Sequence, residues 1–139
     1  MSNCVFCNIE ADRIIDEYNH FVAIRDLYPV TPLHTLVIPK RHIVTYFHCN
    51  ENEHNKIPAI LNSQKNKLLD SDREIKGFNI GMNIGEDAGQ TVFHSHIHII
   101  PRRTGDTENP RGGIRGVIPH RKISLISEFF LTCIGWFHD

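Results

Sequence analysis

The sequence predicts a single α+β domain, on three observations. The chain has 139 residues, which is the usual size of one domain. Several short segments of alternating or β-branched apolar residues end at prolines or glycines, as strands do. One longer segment between them has apolar residues at helical spacing. Because no repeat or low-complexity linker interrupts this order, we expect mainly antiparallel strands with flanking helices.

The first third of the chain predicts two strands. Residues 9–16 indicate a short helix or turn, and Phe21 to Ile24 read as the first strand. Residues 26–32 carry two prolines and predict a stiff loop. The segment from His34 to Pro39 is rich in β-branched residues and predicts a second strand that ends at its proline.

A surface helix is predicted from Glu51 to Leu69, where apolar residues recur at partly helical spacing. Pro58 lies within this range, and we expect it in the first turn because proline suits that position better than a helix interior. Phe78 to Ile84 then alternates as a strand.

The segment from Val92 to Ile100 is the most informative one. In a strand its three histidines, at alternate positions, would share one face about 6.5 Å apart, close enough to converge on one phosphate or metal ion. Pro101 is expected to end this strand. Several crowded imidazoles are costly unless they are used, so the row predicts a functional site. The histidines are His94, His96 and His98, and Phe93, Ile97 and Ile99 would take the other face.

A glycine-containing bend precedes the histidine segment. Residues 85–89 would close a β-hairpin between two strands, and Gln90 and Thr91 follow directly. Glycines let backbone N–H groups approach an anion closely, and these two side chains add donors. The position beside three histidines favours phosphate binding over a plain turn.

Asp26 stands where the first predicted strand ends. A carboxylate there can accept hydrogen bonds from the two hydroxyls of a ribose, whereas a turn-forming aspartate is an equally good interpretation of the residue alone.

Cys4 and Cys7 have the spacing of one half of a zinc site. A redox pair or a merely structural pair is the alternative. A closed tetrahedral site needs two more ligands, and histidines are available, with His42 a plausible third ligand at a strand end. Cys49 and Cys133 are isolated in sequence.

Charge and hydropathy exclude several functional classes. The net charge is −1, with both signs interspersed, so no broad positive field suggests nucleic-acid binding. No apolar run approaches the roughly 20 residues that span a bilayer, and no leader pattern opens the chain. We therefore expect a cytoplasmic protein with a small anionic ligand.

Three stretches together resemble the histidine triad (HIT) family. They read D-L-Y-P-V-T-P-L-H-T-L-V-I-P at 26–39, G-E-D-A-G-Q at 85–90 and H-S-H-I-H-I-I-P-R at 94–102. With the cysteine pair they are distributed over residues 4–102. Two positions depart from the family pattern: Ser95 replaces an apolar residue, and Leu33 stands where glycine commonly precedes the histidine.

The resemblance implies a five-stranded antiparallel sheet with flanking helices, a homodimer, and purine nucleotides cleaved at the α-phosphorus. His96 would be the nucleophile that becomes nucleotidylated, and His98 would hydrogen-bond the bridging or leaving atom. Asp26 would hold the ribose. The phosphates would be held by Asn83, Gln90, Thr91 and the backbone from Gly89 to Val92.

Members of the family that keep the cysteine pair bind a structural zinc ion through the first histidine of the motif and one more histidine. The resemblance therefore implies the ligands Cys4, Cys7, His42 and His94. A catalytic metal site built from the histidine row is the alternative.

The match weakens after Arg102, so we expect a HIT domain over residues 1–110 and a C-terminal extension over 111–139. Arginines at 111 and 115 could reach a polyphosphate, or could lie on a surface loop. The interpretation favoured by all these features is a nucleotidyl hydrolase of dinucleoside polyphosphates or nucleoside phosphoramidates. A nucleotidyl transferase and a non-catalytic nucleotide sensor are the alternatives.

Overall fold

A five-stranded antiparallel sheet is the centre of the protein. The computed structural model describes residues 3–123. The strands are β1 (Ile14–Glu17), β2 (Phe21–Arg25), β3 (Thr35–Pro39), β4 (Ile75–Gly81) and β5 (Ile97–Arg103), with one helix, α1 (Glu51–Ser71), between β3 and β4. The strand order is β1-β2-β3-β5-β4, with every neighbouring pair antiparallel. The predicted α+β class and five-stranded sheet are therefore confirmed.

The first predicted element is wrong in part. Residues 11–13 form one 3-10 turn, but Ile14–Glu17 is an edge strand. Its side chains alternate between half-buried and exposed, the pattern of a strand with one face on the core. Only four residues long, β1 depends on its pairing with β2, and so its sequence alone indicated a turn.

Helix α1 begins where its capping residues predict. Asn50 accepts a hydrogen bond from the Glu53 amide at 2.9 Å, and the Asn50 amide donates to the Glu53 carboxylate at 2.8 Å. Pro58, expected in the first turn, lies inside the helix. It is on the exposed face, where water can hydrate the carbonyl that loses its N–H partner.

The two faces of the sheet have different coverings. On one face, Ile60 and Leu68 of α1 pack with Ile97 and Ile99 of β5 in the main apolar cluster. On the other face, a second cluster is covered by the N-terminal segment through Phe6 and Ile9; it contains Val22, Ile24, Leu36 and Ile38. Because β5 residues alternate, His98, which pairs with Leu36, lies on this second face.

The histidine segment is shorter as a strand than expected. Strand β5 begins at Ile97, so His94 and His96 precede it and only His98 is inside. Phe93 is exposed and is not in the core. Pro101 does not end the strand: it pairs with Phe78, and its carbonyl accepts a hydrogen bond from the Thr31 hydroxyl at 2.7 Å. Its missing N–H is tolerated because β3 begins only at Thr35, opposite Ile99, and does not extend beside Pro101.

The chain divides into two compact units between Thr104 and Gly105. Within the second, two 3-10 segments at Gly113–Val117 and Pro119–Arg121 follow each other, and the Lys122 ammonium donates to the Asn109 carbonyl at 2.6 Å. The expected boundary at residue 110 stays a prediction. Residues 124–139 lie outside the described part of the chain. No helix within residues 3–123 is long and apolar enough to cross a membrane.

Candidate functional site

The cysteine pair and two histidines meet at one end of the sheet. Cys4 and Cys7 are closed into a tight turn by the Cys7 amide, which donates to the Cys4 carbonyl at 3.2 Å. The His94 Nδ1 atom lies 3.5 Å from both thiols, and the His42 Nδ1 atom lies 3.1 Å from the Cys7 thiol and 3.2 Å from the His94 Nδ1 atom. All four candidate ligand atoms lie within 4.8 Å of one another.

These separations fit a tetrahedral zinc ion. With Zn–N near 2.0 Å and Zn–S near 2.3 Å, tetrahedral angles place two nitrogens about 3.3 Å apart and a nitrogen and a sulfur about 3.5 Å apart. The observed nitrogen pair is at 3.2 Å and the nitrogen–sulfur pairs are at 3.1–3.5 Å. The His94 Nε2–H group donates to the Pro39 carbonyl at 2.7 Å, so its Nδ1 lone pair points at the cluster. Burial lowers the pKa of His94, which keeps the ring neutral as a ligand must be.

His96 is buried beside this cluster. Its Nδ1 atom lies 2.8 Å from the His94 carbonyl oxygen, and since a carbonyl only accepts, Nδ1 carries the proton. The Nε2 atom of neutral His96 therefore carries the lone pair. The ring packs against Phe6 with centroids 5.0 Å apart and against His98 with centroids 5.1 Å apart.

His98 has the opposite tautomer, set by a chain of hydrogen bonds that starts on the backbone. The Val30 amide donates to the His34 Nδ1 atom at 3.1 Å, so the proton of neutral His34 is on Nε2. That Nε2–H group donates to the His98 Nδ1 atom at 2.9 Å. The proton of His98 is therefore on Nε2, a buried atom with no hydrogen-bond partner among residues 3–123.

Burial keeps the two hydrogen-bonded histidines, His34 and His98, uncharged. Burial, with smaller contributions from His96 and His34, lowers the pKa of His98 to about 4. Burial also lowers the pKa of His34, although Asp26, whose Oδ2 atom is 3.5 Å from the His34 Nε2 atom, acts against that shift. At neutral pH, His98 is thus an uncharged hydrogen-bond donor.

Asp26, His34 and His98 also form a three-residue cluster of potential metal ligands. The His34 Nδ1 atom accepts a backbone N–H, so a metal on its Nε2 atom would require an imidazole without any proton. The cluster is therefore a hydrogen-bonded chain, and this geometry does not support a catalytic metal held by Asp26, His34 and His98.

These histidines line a cleft of about 790 Å³ on the second face of the sheet. Among the residues predicted from the sequence to be catalytic or to bind substrate, six line it: Asp26, Asn83, Thr91, Val92, His96 and His98. The predicted zinc ligand Cys4 lines it too. Apolar and aromatic side chains supply much of the remaining wall, including Val5, Phe6, Leu27, Tyr28, Val30 and Leu36. A mostly apolar wall with a few polar groups is typical of a site for a small amphipathic ligand.

Gly89 and Gln90 do not line the cleft. The Gln90 side chain is buried and accepts from the Gly85 amide at 2.9 Å, while its Nε2 atom donates to the carbonyls of Val44 and Val92 at 2.8 and 3.2 Å. Gly85 and Gly89 bracket a 3-10 turn and both have positive φ, 88° and 91°. In this conformation the Gln90 side-chain amide stabilises the loop and does not face the cleft. This differs from its expected role as a hydrogen-bond donor to phosphate.

Two site residues were not assigned a role from the sequence. His34 directly precedes β3, and only the pairing of β3 with β5 brings it to His98. Phe6 lies between the two cysteines, and its contacts with the histidines require the N-terminal segment to fold onto the sheet. A histidine before an apolar strand and an aromatic residue inside a cysteine pair were the available signals.

The sequence is similar to that of known proteins. The HIT domain family matches residues 8–105. An uncharacterized HIT-like protein of Saccharolobus solfataricus is 36% identical over 111 residues, which are 76% of this chain and 78% of that protein. Protein hit of Bacillus subtilis is 39% identical over 108 residues, 72% of this chain and 71% of the relative.

Solved structures agree with this relationship. A zinc-bound histidine triad family protein of Mycobacterium smegmatis has a TM-score of 0.68 and 37% identity, covering 77% of this chain and 80% of that one. A HIT family hydrolase of Clostridium thermocellum has a TM-score of 0.61 and 35% identity, covering 76% and 95%. The sequence match, the shared fold and the histidine cleft lead to one conclusion: this chain belongs to the HIT domain family.

Proposed function

We propose that the protein is a nucleotidyl hydrolase that cleaves dinucleoside polyphosphates or nucleoside phosphoramidates at the α-phosphorus. The observation that carries this proposal is the pair of tautomers in the cleft. His96 presents a lone pair on Nε2, and His98, with its ring centroid 5.1 Å away, presents an N–H group. A nucleophile beside a neutral hydrogen-bond donor suits displacement at phosphorus, because the donor can stabilise charge on the leaving atom.

In the first step, the His96 Nε2 atom forms a bond to the α-phosphorus as the bond to the leaving group breaks. The His98 Nε2–H group donates a hydrogen bond to the leaving atom and stabilises the negative charge that forms there, while His98 keeps its proton and the leaving group takes any proton it needs from solvent. The nucleotidylated imidazole gains positive charge, and the hydrogen bond from its Nδ1–H group to the His94 carbonyl strengthens. In the second step, water attacks phosphorus and loses a proton to solvent, and the P–N bond breaks with its electron pair returning to the His96 Nε2 atom. This step releases the nucleoside monophosphate and restores neutral His96.

The nucleotide would be held along the cleft. We infer that the Asp26 carboxylate binds the ribose hydroxyls, because it lines the cleft while its Oδ1 atom is oriented by the Tyr28 amide at 2.8 Å. Asn83 and Thr91 are exposed polar residues at the same cleft and would bind phosphate, together with the backbone near Val92. Gly89 and Gln90 would shape that loop. The apolar wall suits a purine.

We infer one structural zinc ion held by Cys4, Cys7, His42 and His94. The support is the tetrahedral fit of the four ligand atoms and the orientation of His94 by the Pro39 carbonyl. The solved histidine triad relative from Mycobacterium smegmatis is itself described as zinc-bound. When bound, the ion would tie the N-terminus to the histidine segment.

A homodimer and a cytoplasmic location are also part of the proposal. Strand β4 is a seven-residue edge strand, and Ile80 on it is exposed, which leaves a pairing edge and apolar surface for a second copy. Light scattering with size-exclusion chromatography measures the mass: a monomer at micromolar concentration would contradict the dimer.

The test of the function is release of AMP from diadenosine polyphosphates and adenosine phosphoramidates by wild type and His96→Ala. We expect the substitution to reduce turnover by several orders of magnitude, roughly the cost of removing a nucleophile, while nucleotide binding persists. A labelled nucleotide should be trapped on His96 in the wild type. Binding without any AMP release would instead support a sensor, and transfer of the nucleotide to added phosphate in preference to water would support a transferase.

A further inference from the structure

Phe6 connects the cysteine pair with His96. It lies between Cys4 and Cys7 in sequence, and its ring meets His96 edge-on, with centroids 5.0 Å apart and an interplanar angle of 68°. The same ring is perpendicular to His94, with centroids 6.1 Å apart. These distances and angles are those of favourable edge-to-face contacts between aromatic rings.

Phe6 also packs on the sheet. It contacts the second apolar cluster, which includes Leu36 and Ile38. The side chain therefore has contacts with the sheet as well as with the two histidines. Because packed neighbours restrict a side chain, a change in the position of the cysteine turn should displace the surface that His96 contacts.

His96 needs that surface. Its one hydrogen bond within residues 3–123 runs from Nδ1 to the His94 carbonyl, and one bond leaves the ring free to tilt about it. The terminal torsion of histidine has broad minima, so hydrogen bonding alone sets the ring direction loosely. The contacts of the His96 ring with Phe6 and with His98 restrict its plane, and thereby the direction of its Nε2 lone pair.

The cysteine turn in turn depends on its ligands. Two cysteine sulfurs and two imidazole Nδ1 atoms converge, with nitrogen–sulfur and nitrogen–nitrogen distances of 3.1–3.5 Å. In the form that binds zinc, two thiolates and two lone pairs, these atoms repel one another unless a cation lies among them. Zinc would hold Cys4 and Cys7 in place, and with them Phe6, which lies between them in sequence. We propose that Phe6 is a positioning residue that transmits zinc binding at the cysteine pair to the orientation of the His96 ring. This inference rests on the proposed function for the role of His96.

The experiment uses full-length, zinc-loaded protein labelled with ¹⁵N-histidine. In long-range ¹H–¹⁵N spectra at fixed pH, wild-type His96 should show one tautomer, with the proton on Nδ1. In Phe6→Leu we expect zinc to stay at one per chain. The ¹⁵N chemical shifts of His96 Nδ1 and Nε2 should move towards each other, as they do in an imidazole that exchanges between its two tautomers. Turnover should fall about tenfold or more, as misplaced reacting groups do. Wild-type His96 shifts in Phe6→Leu would overturn the proposal.

Ile9→Ala is the matched control, because Ile9 packs against the same apolar cluster and is not in ring contact with the histidines. It should lose stability but keep the wild-type His96 signals; averaged signals there would mean that general loosening is sufficient, which contradicts the specific role of Phe6. Zinc removal should change the His96 signals in wild type and add little in Phe6→Leu. If zinc removal changed the His96 signals equally in wild type and in Phe6→Leu, the coupling would run through His94 and the proposal would be wrong. The spectra need no substrate, so failure to release AMP contradicts only the proposed function.

Discussion

The role of His34 follows from its two hydrogen-bond partners, the Val30 amide and His98. It accepts from the Val30 amide and donates to His98, so it passes the fixed direction of a backbone N–H group to a side chain in the cleft. A neutral imidazole does this well because one nitrogen accepts while the other donates. His98 is thereby oriented before any ligand arrives.

We predict that His34→Leu destabilises the fold by about 1–3 kcal/mol, the usual cost of a buried acceptor that loses its partner, here the His98 Nδ1 atom. Urea unfolding measures the change. His34→Gln, which keeps an N–H donor, should recover part of the stability and of the turnover. Equal losses in the two variants would show that packing, not the hydrogen bond, is the contribution of His34.

The low pKa of His98 predicts a pH dependence of stability. The unfolded residue binds a proton near pH 6.5, but the folded residue does so only near pH 4. Between these values the unfolded state binds more protons, so the free energy of unfolding must fall as the pH falls. Urea titrations at pH 7 and pH 5 should show a larger loss in wild type than in His98→Asn. The same loss in both would assign the pH dependence to other groups.

Among the elements, the turn before β3 carries the clearest local strain. Leu33 has φ 69°, the left-handed region that favours glycine, and the His34 amide donates to the Thr31 carbonyl at 3.2 Å. Pro32 and Leu33 thus occupy the two central positions of a turn of the type II pattern, which has positive φ at its third residue. The glycine that the family commonly has there would fit without strain. In this chain, packing of the half-buried leucine against the main core cluster offsets the strain.

Comparison of Leu33→Ala with Leu33→Gly tests this account. Both variants lose the packed side chain, but only glycine removes the left-handed strain. We therefore predict that the glycine variant is more stable than the alanine variant by about 1 kcal/mol. Chemical denaturation gives the difference directly. An alanine variant at least as stable as the glycine variant would mean that the turn relaxes out of the left-handed region.

At the scale of the whole molecule, the two faces of the sheet differ: one packs in the main core and the other carries the candidate site. One face packs on α1 and forms the main core, while the other carries the second apolar cluster, the cleft and the cysteine cluster. Strand β5 serves both, since Ile97 and Ile99 face the helix and His98 faces the cleft. A structural metal at the cysteine cluster would therefore support the cleft face without touching the main core.

We predict that a strong chelator lowers the melting temperature of the protein and its turnover together, because binding free energy at a closed zinc site is also folding free energy. Metal analysis should find one zinc per chain in wild type, and none in Cys4→Ser or His42→Ala. Cys49→Ser is the matched control, since Cys49 is not part of the cluster, and it should retain the metal. A metal-free wild type with unchanged melting in chelator would contradict the assignment.

Much of the fold followed from local chemistry. Strands β2 and β3 are continuous apolar runs, and α1 has a capping box and apolar spacing, so their existence could be predicted from neighbouring residues alone. Strand β1 could not, since four residues with two isoleucines form a strand only when β2 supplies hydrogen bonds. Pro101 was wrongly predicted to end β5 because the place where β3 begins to pair with β5 is not a local property.

The residue types of the site were visible in the sequence as well, since cysteine spacing and alternating histidines suggest chemistry wherever they occur. Only the tertiary structure decided what each side chain does. It joined His34 to His98 across 64 positions of sequence, directed Gln90 into the loop, and placed Phe6 on His96. The physical reason is that a side chain identity sets which bonds it can make, whereas its partners depend on strand pairing and on segments distant in sequence.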